Sequence, residues 1–169
     1  MNVIVIGAGA AGMMCAGHAA ELGYNVDIFE KNNMVGKKLR ITGKGRCNIT
    51  NASEIEEHIE NTPGNPYFMY SALYKFTPSD TVKLVEGLGV PTKVERGKRV
   101  FPVSDKAADV AEAFLKYMKK GGVRLHLDST VKSITIENGR ALGIELSNGK
   151  KYSADAVVIA SGGLSYPST

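Results

Sequence analysis

The sequence predicts an α/β fold, in which a parallel sheet is joined by a three-stranded antiparallel β-meander and interrupted by a helical and hairpin insertion. Three observations carry that expectation. A β-branched run at residues 3–6 passes directly into Gly7-Ala8-Gly9-Ala10-Ala11-Gly12 and an Ala-rich segment, and a second apolar run at 25–29 ends in Glu30. Two Asn-Gly pairs, Asn138-Gly139 and Asn148-Gly149, separate three short alternating runs, the strongest short-range hairpin signal. A last apolar run at 156–160 ends in Ser161-Gly162-Gly163, as a strand does where it reaches the ligand edge of a parallel sheet.

In the opening unit each residue type has a physical task. Gly7 makes the tight turn out of the strand, Gly9 has no Cβ to hold a pyrophosphate away from the backbone, and Gly12 lets the helix lie close on the sheet. The unpaired N–H groups of that helix's first turn then face the phosphates. Glu30, leaving the second strand near the same edge, is placed to accept hydroxyl protons from an adenosine ribose, and its charge repels a 2′-phosphate. A G-x-G-x-x-G alone is weak evidence, but strand, helix and acid at these distances make dinucleotide binding the expectation over a purely structural turn. No Walker A pattern occurs.

About a hundred residues follow before the next expected sheet strand, too many for a simple connection. A glycine-rich basic stretch at 34–51 comes first, then a short polar helix at 54–60 and a loop at 61–66. Tyr67, Phe68, Tyr70, Leu73, Tyr74 and Phe76 recur at near-helical spacing, which predicts a core stripe before a ligand wall. Thr77-Pro78-Ser79-Asp80 reads as an N-cap with proline at the first helical position, and Gly89 stops that helix. Residues 92–101 predict a hairpin turning near Arg96-Gly97. Its Lys93, Arg96, Lys98 and Arg99 read as solvated strand faces before an anionic path. Ser104 is expected to cap a helix over 105–120, with Ala107, Val110 or Ala111, Phe114 and Met118 as its apolar stripe. Residues 123–127 predict a third parallel strand, the runs at 131–137, 140–147 and 150–153 the meander, and 156–160 a buried parallel strand.

Composition bounds the alternatives. With 43% hydrophobic and 22% charged residues in 169, the chain can bury a core. The net charge of +4 is dispersed among 17 acids without a basic run of four, which predicts an anionic cofactor or a solvated surface and no nucleic-acid partner. Two cysteines outside any C-x-x-C point to a reducing, cytoplasmic setting. No stretch has the length of a membrane span, so no membrane partner is expected. Cys15, on the opening helix, is expected in the core. His18, His58 and His126 are scattered, and no metal site or histidine-based triad can be built from them.

The order of elements resembles the FAD-binding half of the glutathione-reductase-like flavoproteins. More specifically, Gly36-Lys37-Lys38-Leu39, Thr42-Gly43-Lys44-Gly45-Arg46-Cys47-Asn48-Ile49-Thr50-Asn51, Gly97-Lys98-Arg99-Val100-Phe101-Pro102 and Ala160-Ser161-Gly162-Gly163-Leu164-Ser165-Tyr166-Pro167 resemble the HI0933-like or BaiN-like family of FAD/NAD(P)-dependent oxidoreductases. The likeness runs the whole length of the chain. It implies a Rossmann-like FAD-binding domain covering 1–169, the N-terminal part of a longer flavoprotein whose substrate domain and C-terminal flavin-binding segment lie elsewhere, so that the isolated piece would be inactive.

By that resemblance Gly7, Gly9, Ala10, Ala11 and Gly12 would hold the pyrophosphate and Glu30 the adenosine ribose. Lys31 and Lys38 would flank them, Val131 would offer backbone groups to the adenine, and Ala160, Ser161, Gly162 and Gly163 would cover the phosphate side. Thr42, Gly43, Arg46, Cys47 and Asn48 would approach the ribityl chain and the flavin ring, Arg46 and Asn48 as donors. Cys47 has no second cysteine beside it, so a packing or flavin-contacting role is expected over a nucleophilic one. The implied activity passes hydride from NAD(P)H through FAD to an unsaturated or oxo small molecule, an enone above all. A flavin-free NAD dehydrogenase and a non-catalytic or RNA-associated flavoprotein are the alternatives. No catalytic residue is identified, and the nicotinamide preference, the acceptor and the oligomeric state stay open.

Overall fold

The computed structural model describes residues 1–165. In chain order the elements are β1 (Asn2–Ile6), α1 (Ala10–Glu21), β2 (Asn25–Phe29), α2 (Lys37–Ile41), β3 (Thr50–Asn51), α3 (Ile55–Glu60), α4 (Tyr70–Lys75), α5 (Pro78–Gly87), β4 (Thr92–Glu95), β5 (Arg99–Pro102), α6 (Ala107–Lys120), β6 (Arg124–His126), β7 (Val131–Glu137), β8 (Arg140–Leu146), β9 (Lys151–Ser153) and β10 (Ala156–Ile159). They fall into two compact units, Met1–Arg40 with the chain from Phe114 onward, and Ile41–Ala113.

The first unit holds a parallel sheet in the order β10-β1-β2-β6 and the antiparallel meander β7-β8-β9. Alternation along β1 and β2 sorts their side chains between two faces. Ile4 and Phe29 pack with Ile144 and Leu146 of the meander, with Val131, Tyr152 and Val157 at the margin. Helices α1 and α6 meet closely because Gly17 leaves room for the Tyr117 ring, whose hydroxyl donates to Glu21 at 2.6 Å. The turn between β7 and β8 places Asn138 and Gly139 at positive φ, as the Asn-Gly signal requires. The stripe expected on α6, Ala107, Val110 or Ala111, Phe114 and Met118, is buried throughout, Val110 and Ala111 both included.

The second unit holds a sheet in the order β3-β5-β4. The hairpin turns at Arg96-Gly97-Lys98, with Gly97 and Lys98 left-handed. At the start of α5 the Thr77 hydroxyl accepts from Asp80 N–H, and the Asp80 carboxylate accepts from Thr77 N–H, a reciprocal cap ahead of Pro78 at the first position. The two-residue strand β3 pairs with β5 and was not foreseen.

Four expectations need correction. The aromatic stripe is not core: Tyr67 is 78% and Phe68 82% exposed, with Tyr70, Tyr74 and Phe76 also exposed. A 3₁₀ turn at Pro66–Met69 precedes a six-residue α4, so the spacing never sums to one continuous helical face. The helix after Ser104 begins at Ala107, because Asp105 has φ +55° and cannot be helical. Strand β10 is an edge strand and only half-buried, with Ile159 66% exposed. Cys15 is likewise only half-buried, and burial still raises its thiol pKa. The basic hairpin side chains are solvated in part, but Lys98 donates to Glu57 and Lys93 to Asp105.

Candidate functional site

The C-terminal edge of β1 and β2 is built by backbone fit. Gly7, at φ +100°, donates to the Phe29 carbonyl at 2.7 Å, and a Cβ on it would stand 2.6 Å from the Ala160 carbonyl oxygen. A Cβ on Gly12 would fall on the Gly7 carbonyl oxygen and press on Ala160. At Gly9 a Cβ would meet nothing within 4 Å. Gly7 and Gly12 therefore hold the turn, whereas Gly9 faces open space, the cradle a phosphate-binding turn needs. Helix α1 starts after Gly9 with no side-chain cap and no acid in its first turn, and its first intrahelical bond runs from Met13 N–H to Gly9. The N–H groups of Ala10, Ala11 and Gly12 precede that bond, and Ala10 and Ala11 are exposed.

Glu30 is 8% exposed, the one acid among the buried described residues. Its Oε2 accepts from Ala8 N–H at 2.8 Å, while Oε1 accepts from Asn32 N–H at 2.9 Å and from the Asn32 side-chain amide at 2.6 Å. Lys37 Nζ in turn donates to Asn32 Oδ1 at 3.2 Å. The carboxylate is thus fixed against the glycine turn itself. Asn32 is the residue that sequence reasoning missed, and its two-residue spacing from the acid was the available signal. The loop after β6 hangs on the same edge: Ser129 N–H donates to the Glu30 carbonyl and Asp128 N–H to that of Asn32. Val131 follows as the first residue of β7.

On the other side of the turn, Ala160 N–H donates to Ile6, extending the strand pairing to where Ser161, Gly162 and Gly163 leave the sheet. Lys38 Nζ donates to the Gly163 carbonyl at 3.1 Å and to Ser165 Oγ at 3.4 Å. Lys31 is exposed. The structure therefore brings together Gly7, Gly9, Ala10, Ala11, Gly12 and Glu30, with Lys38 and 160–163 beside them. The Tyr166-Pro167 end of the last motif lies outside the described residues.

Thr42, Gly43, Arg46, Cys47 and Asn48 belong to the other unit. Gly43, Lys44, Gly45 and Cys47 are all left-handed, with φ between +57° and +83°. Cys47 is fully buried and its N–H donates to the Thr42 carbonyl at 3.0 Å. Burial pushes its thiol pKa up, with a hydrogen bond to Thr42 working the other way, so a thiolate nucleophile is disfavoured. Arg46 donates to Asp105 from Nε and Nη2, at 2.9 and 2.6 Å, and to Glu95 from Nη2, and its Cζ lies 4.3 Å over the Phe101 ring. Asn48 is exposed. Among the described residues no group of three or more metal-ligating side chains occurs, and no helix is long and apolar enough to cross a membrane.

Residues 1–169 match the profile of the HI0933-like protein Rossmann domain. The chain belongs to that family. Among its relatives, the ribosomal RNA dihydrouridine synthase of Escherichia coli (strain K12) is 35% identical over 172 residues, covering 98% of this chain and 40% of that protein. The 3-dehydro-bile acid delta(4,6)-reductase of Clostridium scindens is 32% identical over 167 residues, covering 96% and 39%. The HI0933-like domain thus spans about two-fifths of these relatives. In fold it is similar to 3-ketosteroid-delta4-(5alpha)-dehydrogenase from Rhodococcus jostii RHA1, with a TM-score of 0.73, 18% identity and coverage of 97% and 46%.

Proposed function

We propose that the chain is the adenine-dinucleotide part of a longer FAD-dependent oxidoreductase that saturates a ring carbon–carbon double bond conjugated to a carbonyl, using a reduced nicotinamide. The observation that carries this reading is the buried Glu30 carboxylate held on the Ala8 N–H beside an uncapped helix start. Both named relatives point to one acceptor chemistry. Dihydrouridine is uridine with the ring double bond next to its carbonyl saturated, and a delta(4,6)-reductase of a 3-oxo steroid acts on double bonds conjugated to that ketone.

When bound, FAD would supply hydride transfer from the nicotinamide to the β-carbon of the acceptor, whose α-carbon would take the balancing proton from water. The chain's residues bind and orient. The amides of Ala10, Ala11 and Gly12 donate to the pyrophosphate, and the bare Cα of Gly9 lets it approach. Glu30 already takes three donors from Ala8 and Asn32, and its remaining acceptor capacity goes to a ribose hydroxyl. Its negative charge disfavours a phosphate on that ribose. Lys38, tethered at Gly163, adds positive charge at the phosphate side with Ser161 and Gly162, Lys31 adds to it, and Val131 offers backbone groups to the adenine. The Thr42-Gly43 and Arg46-Cys47-Asn48 motif is assigned to the flavin half on the strength of the family pattern.

The test uses the full-length protein. It is expected to release FAD on denaturation, to bleach anaerobically with NADH or NADPH, and to be reoxidised by one of two acceptors, ribosomal RNA or a 3-oxo-4,6-diene steroid. Reoxidation by RNA with a gain of two hydrogens at a uridine assigns the nucleic acid as substrate against the charge-based expectation, and reoxidation by the steroid keeps it. A colourless protein from which no flavin is released overturns the reading.

A further inference from the structure

We infer that Arg46 is a positioning residue, one that clamps the glycine-rich turn from behind and so presents Asn48, and that it is not itself a ligand of the flavin. The inference rests on the proposed flavin role of that turn. Four of the five residues 43–47 are left-handed, and two of them, Lys44 and Cys47, carry a Cβ that collides with the following carbonyl oxygen in that conformation. Such backbone persists only where its surroundings over-determine it. The turn's own backbone bonds run from Cys47 N–H to the Thr42 carbonyl at 3.0 Å and, longer, from Arg46 N–H to the Gly43 carbonyl at 3.3 Å.

Two side chains supply the remainder. Cys47 is packed out of solvent. Arg46, the single right-handed residue of the five, lays its guanidinium on the Phe101 ring and forks onto Asp105 and Glu95. Lys93 closes the set, with Nζ 2.7 Å from Asp105 and 3.5 Å from Glu95. Two cations and two carboxylates cancel, so the Arg46 charge is neutralised where it stands and has little left for an approaching anion. A plane that both stacks and forks is a property of guanidinium that an ammonium lacks. Asn48, next in the chain and exposed, is the polar side chain this clamp leaves to present.

The test compares Arg46→Lys and the double variant Glu95→Gln/Asp105→Asn with wild type in the full-length protein. Three quantities are read: FAD dissociation, the visible flavin spectrum, and the alkylation rate of Cys47 followed by peptide mass. If Arg46 positions, Arg46→Lys weakens FAD about tenfold, shifts the flavin bands and speeds Cys47 alkylation, and the double variant does the same although Arg46 is intact. If Arg46 were a ligand, freeing it from its carboxylates would tighten FAD or leave it unchanged; that result overturns the inference. Faster alkylation with FAD binding and spectrum unchanged also overturns it, since the clamp then serves nothing at the flavin. The alkylation arm needs no cofactor, so a wild type without FAD counts against the proposed function and is told apart from a failed clamp. Should the double variant not fold, Glu95→Gln alone is read by the same three measures.

Discussion

Two glycine-rich turns, at 7–12 and at 43–47, look alike in the sequence and are held by opposite means. The first is locked by main chain against main chain: Gly7 and Gly12 have no room for a Cβ, and the atoms that exclude it are backbone carbonyls. The second has a residue with a Cβ at two of its left-handed positions and is held by what its side chains reach, Phe101, Glu95 and Asp105. A glycine in the first turn is thus a steric requirement. In the second, Gly43 is also closely fitted, with Asn48 N 3.0 Å from an added Cβ, but that turn depends besides on charges and rings that lie some fifty residues further along. One is broken by adding a methyl group, the other by removing a charge.

The largest effect should come from the first turn. Gly12→Ala puts its methyl on the Gly7 carbonyl oxygen, where a backbone group cannot give way as a side chain would. Overpacking of this kind costs about 3 kcal/mol or more, and denaturant unfolding should show a midpoint far below wild type with FAD lost as well. Gly9→Ala is the control within the same turn. Its methyl enters open space, so stability should fall by about 1 kcal/mol or less, the cost of alanine at a helix N-cap, while FAD affinity drops. Equal destabilisation by the two substitutions would dissolve the distinction between packing and ligand-facing glycines.

Next in size is Glu30→Gln. The carboxylate accepts from Ala8 N–H and from two Asn32 donors, and an amide can offer only one oxygen. At least one buried donor then loses its acceptor, worth about 1–3 kcal/mol, and FAD affinity falls with it. A glutamine variant as stable as wild type would mean that the acid does not hold the turn.

What was legible follows the same division. The first turn, its helix and its acid are local: strand period, glycine spacing and an acid within thirty residues suffice, and the Asn-Gly signals likewise fixed the meander. The second turn's composition was visible but its support was not, because Arg46 meets Glu95 and Asp105 at separations of 49 and 59 residues and no local pattern encodes such a pairing. Strand β3 escaped for a related reason: two residues have no period, and only pairing with β5 makes them a strand. The aromatic run misled because spacing states which side chains share a face, not whether anything covers it.

A pH series sharpens the comparison. The hydrogen bond from Arg46 holds Glu95 below the usual carboxylate range, and those from Lys93 and then Arg46 do the same for Asp105. Lowered folded-state values mean a contribution fully present above the unfolded carboxylate pKa and lost as pH falls through the folded one. Below about pH 5 the thermal midpoint of wild type should therefore decline more steeply than that of Glu95→Gln/Asp105→Asn, which has less to lose. Parallel curves would show that the four charges around the second turn add nothing to folding.

The smallest effect belongs to the same insertion, at Phe68. A phenylalanine 82% exposed has almost no apolar surface withdrawn from water, so Phe68→Ala should change unfolding free energy by no more than about 0.5 kcal/mol. In the isolated chain that near-zero value is the counterpart of the Gly12 result, one methyl group outweighing a whole ring because the site admits nothing and the ring touches little. A loss of several kcal/mol at Phe68 would instead mean that its ring is covered in solution. The support of the insertion would then have to be sought in aromatic burial, and no longer in the ion pairs that Arg46 makes.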